Sequence, residues 1–371
     1  MRLLHVHSGN LYGGVETILT TLARFSANRL EHHFALCFDG RVAQELRRLE
    51  ANVVQLGAAR TRHPLALLRA RRRLRRVLDD DDFDAVACHM PWAQAIFGPV
   101  VRRAGIASIF WMHDTSSGGH WLERWARRTP PDLAICNSVF TAASLPRLYP
   151  NVPGEVWYPP VTPCACSGGE NRRAVRAELA TPADAVVILQ ASRFEAWKGH
   201  REHLAALASL RHDPRWFCWL AGGGDTAKYE AELRDMAAQL GIVSRIRFCG
   251  FRRDVRRLMA AADIYCQPNT APEPFGLAFA EALSAGLPVV TTAMGGVVEL
   301  VDSSCGVLLP GSDPAALASA LRRLIDDAAL RSVLGRNGRA RVLRLCNVDD
   351  QMARIDGIVG RLGRDYRAAG S

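Results

Sequence analysis

The stretch DIYCQPNTAPEPFGLAFAEALSAGLPVVTTAMGGVVELV, residues 263–301, decides the fold that we predict for this chain. Its first apolar run ends at Cys266 and predicts a buried strand, and three prolines from Pro268 onward then favour a loop. From Gly276 apolar residues recur at spacings of three and four, which predicts a helix that ends near Gly286. We therefore expect a strand, a loop and a helix whose first N–H groups adjoin the loop.

A helix start of this kind attracts phosphate, because its first N–H donors are unpaired and the helix dipole is positive there. Glu273 lies in the predicted loop and Glu281 lies one to two turns into the helix, so both carboxylates can face one ligand. Carboxylates repel phosphate and accept hydrogen bonds from hydroxyl groups, so this spacing suggests a sugar nucleotide. Taken alone, an exposed loop glutamate and a partly solvated helix glutamate explain the pair about equally well.

A Glu-x7-Glu signature is present in this stretch, formed by Glu273, Pro274, Phe275, Gly276, Leu277 and Glu281. With it the chain resembles the family 4 retaining glycosyltransferases, whose α/β GT-B fold has two Rossmann-like domains facing across a cleft. We accordingly expect an N-terminal acceptor-side domain over residues 1–162 and a nucleotide-sugar-binding domain over residues 163–346. A C-terminal helix at about 347–371 is expected to pack back on the first domain.

The length and composition agree with two globular domains. A chain of 371 residues is too long for one ordinary core, and its 49% of hydrophobic residues is normal. No apolar run approaches the ~18 residues that would span a bilayer, so we expect neither a transmembrane helix nor a signal peptide. We expect a cytoplasmic protein with, at most, peripheral contact at the inner face of the membrane.

The ten cysteines are scattered, with no C-x-x-C pair and no matching histidine spacing. Several fall in predicted strands, which favours reduced core thiols over a metal site or a disulfide framework. Cys164 and Cys166 form the only close pair, and we assign them no role.

The net charge of +10 is concentrated in one segment, since eight arginines lie between Arg60 and Arg76. A solvated helix, partly neutralised by the acidic run Asp79 to Asp82, is one interpretation. A patch for the acceptor or for an anionic membrane surface is the other. Nucleic acid is not an expected partner, because the segment has no interleaved aromatic residues and no recognised motif.

The N-terminus reads as a strand, a glycine loop and a helix. Gly13 and Gly14 would let the backbone approach a ligand closely, although a plain tight turn is equally consistent with them. There is no Walker lysine, and the spacing is not the dinucleotide fingerprint, so an ATPase or a dehydrogenase is disfavoured. The family resemblance implies that this glycine pair faces the diphosphate of the donor.

Short apolar runs alternate with helical stretches through the first half, which predicts a parallel sheet with crossover helices. Ligands of such sheets bind beyond the carboxyl ends of the strands, so the polar residues there are candidates. They are His89, His113, Asp114 and Ser138. The family places a histidine near the donor sugar at the position of His113, whereas a loop histidine is an equally good interpretation of His89.

The second half begins with a strand near 185–190, followed by Arg193 and Lys198. A guanidinium and an ammonium in one loop could neutralise a diphosphate, and the family has an arginine and a Lys-Gly pair at this spacing. Farther on, the resemblance implies that the base of the nucleotide lies against the backbone near Gly250 and Phe251. It also places the Gly295-Gly296 segment near the donor.

The reaction implied by the resemblance is transfer of a hexosyl group from a UDP- or GDP-sugar, with retention, in glycan, polysaccharide or glycolipid biosynthesis. Arg193, Lys198 and the N–H groups at Phe275 to Leu277 would stabilise the departing diphosphate, so neither a metal nor another cofactor is expected. Glu273 would orient the sugar, Glu281 would hold the ribose, and His113 would position the sugar.

Two alternatives remain open from the sequence. One is a GT-B enzyme that does not transfer its sugar, such as a sugar nucleotide 2-epimerase. The other is a basic protein that binds membrane surfaces through Arg60 to Arg76 and has an inactive cleft. The acceptor of a transferase could be lipid-linked, a polysaccharide or a small molecule.

Overall fold

A computed structural model describes residues 1–9, 13–26, 30–164, 169–223 and 227–370. The chain divides into two compact units. The first contains Met1–Pro160 together with Val348–Ser371, and the second contains Val161–Asn347.

The first unit is built on strands that alternate with helices. Its described strands are β1 Arg2–His7, β2 Glu31–Leu36, β3 Asn52–Gln55, β4 Ala85–His89, β5 Ala107–Met112, β6 Leu133–Cys136 and β7 Gly154–Val156. Its described helices before the second unit are α1 Gly14–Arg24, α2 Arg41–Arg48, α3 Pro64–Asp80, α4 Met90–Ala104, α5 Trp121–Ala126, α6 Val139–Ala142 and α7 Leu145–Leu148. Strands of three to six residues thus alternate with helices, as expected for crossover units.

The second unit repeats the same alternation. Its described strands are β8 Val186–Ala191, β9 Trp216–Ala221, β10 Ile246–Gly250, β11 Ile264–Gln267, β12 Val289–Thr292 and β13 Gly306–Leu309. Its described helices are α8 Gly169–Glu178, α9 His200–Ala208, α10 Ala227–Gln239, α11 Val255–Ala261, α12 Leu277–Ser284, α13 Val297–Leu300, α14 Pro314–Asp326 and α15 Ala328–Leu345. The final helix, α16 Val348–Gly370, belongs to the first unit.

Each unit contains one parallel sheet with a reversal in strand order. Over the described residues, the order is β3-β2-β1-β4-β5-β6-β7 in the first unit and β10-β9-β8-β11-β12-β13 in the second. The order therefore reverses between β1 and β4 and again between β8 and β11. Ligands of doubly wound sheets bind at such switch points, beyond the carboxyl ends of the strands. The predicted α/β class with parallel sheets is confirmed.

The cores explain why these elements hold together. In the second unit, buried residues of the sheet such as Ile188 and Ile264 pack with Leu204 of α9 and Leu321 of α14. In the first unit, Met352, Ile355, Ile358 and Val359 of α16 pack against Leu3 and Trp157. The indole N–H of Trp157 also donates to the Gln351 carbonyl at 2.8 Å. The last helix is thereby fixed to the first sheet by apolar burial and by a long-range hydrogen bond.

Nine cysteines fall among the residues that the structure describes, and all nine are free thiols. Cys164 is buried, whereas Cys166 lies outside the described residues. Burial raises the pKa of the Cys88 thiol to about 12, so this thiol is an inert core group. Over the described ranges, none of the helices combines the length and the apolar character needed to cross a bilayer.

Candidate functional site

The switch point of the second sheet brings Lys198 and Glu273 into contact. Lys198 follows β8 and Glu273 follows β11, and these strands are neighbours, so both loops leave the same edge of the sheet. The Lys198 ammonium Nζ lies 2.7 Å from Glu273 Oε2, and the side chains are only 10% and 12% exposed. The contact is a nearly buried ion pair at the position where a ligand of this sheet would bind.

Several donors hold one oxygen of Glu273. Besides Lys198, its Oε2 accepts hydrogen bonds from Asn269 Nδ2 at 3.0 Å and from Gln267 Nε2 at 3.4 Å. The Tyr265 hydroxyl in turn donates to Gln267 Oε1 at 2.9 Å, which fixes that amide. None of the described residues bonds Glu273 Oε1. The carboxylate is therefore anchored through one oxygen and has the other for a ligand.

The Gly295-Gly296 segment holds the backbone of Glu273. The Glu273 N–H donates to the Met294 carbonyl at 3.2 Å, and the Gly296 N–H donates to the Glu273 carbonyl at 2.7 Å. Gly295 has a φ of +86°, and a Cβ there would lie 2.2 Å from the Glu273 carbonyl oxygen. Only glycine fits this close approach. The structure thus gives this segment a supporting contact with Glu273.

Lys198 is held through both its side chain and its backbone. Its Nζ lies 3.7 Å from the centroid of the Trp197 ring, a cation–π contact, and Gln190 Nε2 donates to the Lys198 carbonyl at 2.8 Å. Burial lowers the pKa of Lys198, and the negative charge of Glu273 opposes that effect. The ion pair therefore stabilises the charged form of the ammonium.

The glycine of the Lys198-Gly199 pair is required by a close approach to the Pro268 carbonyl. Gly199 has a φ of +73°, and a Cβ there would lie 1.8 Å from the Pro268 carbonyl oxygen. The loop after β8 can therefore pack on the loop after β11 only with glycine at this position. This close approach of the two loops brings Lys198 to Glu273.

Arg193 lies in the same loop as Lys198 but outside the buried pair. Its side chain is 59% exposed and forms an ion pair of 2.9 Å with Glu195. Glu195 Oε2 also accepts from the Trp197 indole N–H at 2.8 Å. The guanidinium of Arg193 is thus oriented by its neighbours and accessible to an anion.

The helix that begins after Glu273 has the predicted start. Gly276, the residue before α12, has a φ of +94°, and a Cβ there would lie 2.4 Å from the Phe279 ring. Phe275 is buried, and Leu277 is the first residue of the helix. The first residue of α12 accordingly lies four positions after Glu273, and the helix dipole is positive at this end.

Glu281 lies on α12, and its closest cation is Arg256, whose Nε is 3.6 Å from Oε1. Burial raises the pKa of Glu281, and Arg256 opposes that rise. Burial also raises the pKa of Tyr265, and the charges of Glu273 and then Glu281 contribute to this rise. Both carboxylates therefore lie within electrostatic range of one buried phenol.

Gly250 and Phe251 lie beside the glycines that follow β9. The Gly222 N–H donates to the Gly250 carbonyl at 2.9 Å, and a Cβ on Gly223 would lie 2.8 Å from Phe251 Cβ. Residues 224–226, which follow these glycines, lie outside the described residues. The adjoining backbones form one surface at the carboxyl edge of the sheet.

In the first unit, Gly13 and Gly14 begin α1. The Gly13 N–H donates to Glu16 Oε2 at 2.7 Å, and Glu16 lies in the first turn of α1, where its charge suits the helix dipole. Apart from its chain neighbours and the backbone of its own helix, none of the described residues has a heavy atom within 4 Å of a Cβ built on Gly14. Residues 10–12 of the predicted loop lie outside the described residues.

His113 follows β5 and is 7% exposed. Its Nε2 lies 2.8 Å from His89 Nδ1, and its backbone carbonyl accepts from Asn137 Nδ2 at 3.0 Å. Burial lowers the pKa of His113 to about 3, so the ring is neutral near pH 7. Burial and a local partner are properties of a structural histidine, yet Nδ1 has no hydrogen-bond partner among the described residues.

Other residues that build the site did not stand out in the sequence. Gln267, Asn269 and Tyr265 support Glu273, and Gln190, which supports Lys198, is itself held by His203 Nδ1 at 2.8 Å. Their position in the sequence could have identified two of them, because Gln190 and Gln267 are polar residues near the ends of otherwise apolar strands. Buried amides there need partners at the carboxyl edge of the sheet.

Two family descriptions match this chain. The model of the glycosyl transferases group 1 matches residues 171–341, and the model of glycosyltransferase family 4 matches residues 12–163. The lipopolysaccharide core biosynthesis glycosyltransferase LpsE of Rhizobium meliloti is 33% identical over 44% of this chain and 46% of its own length. The D-inositol 3-phosphate glycosyltransferase of Saccharomonospora viridis is 34% identical over 57% of this chain and 52% of its own length. The chain thus spans about half the length of these curated relatives.

Solved structures with the same fold cover nearly the whole chain. HepE of Anabaena in complex with UDP and glucose has a TM-score of 0.85 at 23% identity, covering 97% of this chain and 99% of its own. A glycosyltransferase of Rickettsia africae has a TM-score of 0.86 at 17% identity, with coverages of 97% and 98%. The GT-B fold class is confirmed by these neighbours. Since one family model matches its first half and the other its second half, the chain belongs to the family 4 glycosyltransferases.

Proposed function

We propose that this protein transfers a hexosyl group from a nucleoside diphosphate sugar to an acceptor hydroxyl, with retention at the anomeric carbon. The observation that carries the proposal is the Lys198–Glu273 ion pair at the switch point of the second sheet, followed directly by the first turn of α12. A cation, a carboxylate and helix N–H groups in one place suit a diphosphate with an attached sugar.

The cations and the helix start would stabilise the leaving group. When the glycosidic bond breaks, negative charge develops on the departing diphosphate. Lys198 is nearly buried, so its charge acts with little screening by water, while the exposed Arg193 reaches into solvent from the same loop. Together with the N–H groups at Phe275 to Leu277, these side chains supply the charge that a metal supplies elsewhere. We therefore propose that transfer is independent of divalent metal and of other cofactors.

The two glutamates would bind hydroxyl groups. Glu273 Oε2 is occupied by protein donors, so Oε1 would accept from a sugar hydroxyl. Glu281, farther along α12, would accept from the ribose. Gly250 and Phe251 would lie near the base. As the family resemblance implies, the glycine pair Gly13-Gly14 would face the diphosphate and His113 would position the sugar.

The relatives narrow the substrate classes to test. HepE of Anabaena is known in complex with UDP and glucose, which supports a UDP-sugar as donor, with GDP-sugars as the second class. The names of the two relatives support a lipopolysaccharide core saccharide or an inositol phosphate as acceptor. We propose a role in the biosynthesis of a polysaccharide, glycan or glycolipid.

Transfer with retention is directly testable. We expect the purified protein to move sugar from UDP-glucose, UDP-galactose or GDP-mannose to one of these acceptors, with proton NMR showing an anomeric configuration unchanged from the donor. Initial rates in EDTA should equal those without it. Incubation with the donor alone separates transfer from 2-epimerisation, because an epimerase converts the donor without any acceptor. An inverted product, or a requirement for added magnesium, would contradict the proposed mechanism.

Helix α3 favours an additional contact with an anionic membrane surface. Leu65 and Leu68 are 69% and 43% exposed and lie one turn apart on this helix. Arg69, Arg72 and Arg76 of the same helix are also exposed. Arg69 and Arg72 lie four and seven residues after Leu65, and Arg76 lies four residues after Arg72. These helical spacings place all five side chains on one face. An exposed face with apolar tips and arginines is typical of helices that lie on anionic lipid.

Vesicle sedimentation tests this contact. Each basic residue contributes about 1 kcal/mol at an anionic surface, so replacing Arg69, Arg72 and Arg76 with glutamine should lower partitioning onto phosphatidylserine vesicles by about two orders of magnitude. The matched control replaces three exposed arginines of the second unit, Arg322, Arg323 and Arg339. Equal losses in both triple variants would show that general charge, and not α3, governs binding.

A further inference from the structure

Four buried histidines form a continuous hydrogen-bonded chain across the first sheet. They come from consecutive neighbouring strands: His32 from β2, His5 from β1, His89 from β4, and His113 from the residue after β5. The contacting ring nitrogens lie 2.8 Å apart for His32 and His5, 2.9 Å for His5 and His89, and 2.8 Å for His89 and His113. The chain thus runs from near the start of β2 to the carboxyl edge of the sheet.

Every contact has the same sense, because Nδ1 of one ring meets Nε2 of the next. Burial lowers the pKa of all four rings, to about 3 for His32 and His113, so they are neutral near pH 7. A neutral imidazole carries one N–H and one bare nitrogen, so each ring fixes the tautomer of its neighbour. The histidine chain therefore has only two fully bonded arrangements, with a proton on every Nδ1 or on every Nε2.

The two ends of the chain decide between these arrangements. His32 Nε2 and His113 Nδ1 are buried and without hydrogen-bond partners among the described residues. Protons on every Nε2 would leave a buried N–H of His32 unpaired near the start of β2, far from the carboxyl edge where ligands bind. Protons on every Nδ1 leave only a bare nitrogen there and place the free N–H on His113. Each arrangement leaves one end N–H without a protein partner among the described residues, on His32 in the first and on His113 in the second. The second is favoured, because the His113 end lies at the carboxyl edge of the sheet, where an oxygen of a ligand or of solvent can accept that N–H.

We propose that His32, His5 and His89 are positioning residues that fix the tautomer of His113, so that its Nδ1 presents an N–H to an oxygen atom of the sugar substrate. The ring planes support this assignment. Trp111 stacks on His89 with centroids 5.0 Å apart and on His113 at 6.2 Å, with interplanar angles of 16° and 4°. The indole thus holds both rings in one orientation. The identity of the substrate rests on the proposed function, whereas the assignment of the His113 tautomer does not.

Nitrogen NMR of the native protein, labelled with ¹⁵N-histidine, measures the tautomers without substrate. We expect His5, His89 and His113 each to show a protonated Nδ1 and a bare Nε2. A protonated Nε2 on His113, or rapid averaging between the two tautomers, would overturn the proposal. This outcome is independent of whether the protein binds a sugar nucleotide.

Two substitutions of His5 separate positioning from packing. The carboxylate in His5→Glu can only accept, so it should draw an N–H from His89 Nε2 and reverse the chain, leaving His113 Nδ1 bare. His5→Leu provides no such acceptor for His89 Nε2, so His113 should stay protonated at Nδ1. We expect the KM for the sugar nucleotide to rise about tenfold in His5→Glu with little change in kcat, and to remain near normal in His5→Leu. Equal effects of both variants on the His113 tautomer and on KM would refute the positioning role.

Two further variants complete the test. His33→Gln is the matched control, since His33 neighbours His32 on β2 but contacts Glu31, at 3.5 Å, and lies outside the chain. It should leave the His113 spectrum and KM unchanged. If His5→Glu does not fold, His89→Gln places beside His113 an amide that can either donate or accept, so the His113 ring should then exchange between both tautomers. An unchanged single tautomer of His113 in His89→Gln would overturn the proposal.

Discussion

Replacing Lys198 with alanine is expected to lower kcat by about 10²- to 10³-fold, the usual effect of removing one group that stabilises developing charge. Lys198 is one of the few nearly buried cations of the second unit, and its ammonium lies 2.7 Å from Glu273. The same loss should occur in kcat/KM, because the attraction between Lys198 and the diphosphate strengthens as the diphosphate gains charge in the transition state. Steady-state kinetics with a saturating acceptor measure both constants.

Lys228→Ala is the matched control for this prediction. Lys228 is the only other lysine of the sequence, and it is exposed on α10. Glu273 in the Lys198→Ala variant keeps the donors Asn269 and Gln267, so we expect the fold to persist, which thermal unfolding checks. A folded Lys198→Ala variant with near-normal turnover would show that Lys198 does not act on the leaving group.

Replacing Glu273 with glutamine is expected to lower kcat by about 10²-fold or more. The amide keeps an oxygen that Lys198 and Asn269 can donate to, but it removes the negative charge that would orient the sugar. That charge also raises the pKa of Lys198 against the effect of burial. The ammonium of the variant should therefore lose its proton more easily, and the alkaline limb of its pH–rate profile should move to lower pH.

Glu232→Gln provides the comparison, because Glu232 also pairs with a basic residue, Arg201 at 2.6 Å, but on the exposed surface. Exposed pairs contribute little, so its turnover and pH profile should match those of the native protein. Unchanged kinetics in a folded Glu273→Gln variant would remove this glutamate from the proposed site.

The central part of the site was predictable because its signals are local. The prolines before Glu273, the glycine at 276 and the helical spacing that follows fix a strand, a loop and a helix without knowledge of the rest of the chain. The approach of Lys198 to Glu273 also follows from general topology, because parallel strands such as β8 and β11 end at the same edge of their sheet.

The supporting contacts were not predictable, because they depend on register and side-chain orientation. Asn269 and Gln267 are ordinary polar residues in the sequence, and only their placement around one oxygen shows their role. The histidine chain joins residues that are 84 positions apart in the case of His5 and His89. Its formation requires four strands in the correct order and register, which no local pattern contains.

The most direct test of the central claim is the change in the free energy of unfolding when sugar nucleotides are added. A ligand at about 100 times its Kd raises that free energy by about 2.7 kcal/mol. We expect at least one of UDP-glucose, UDP-galactose and GDP-mannose to do so in the native protein, with a clearly smaller gain in Lys198→Ala at the same concentration. The account would be contradicted if none of them stabilised the native protein, or if the native protein and the Lys198→Ala variant were stabilised equally.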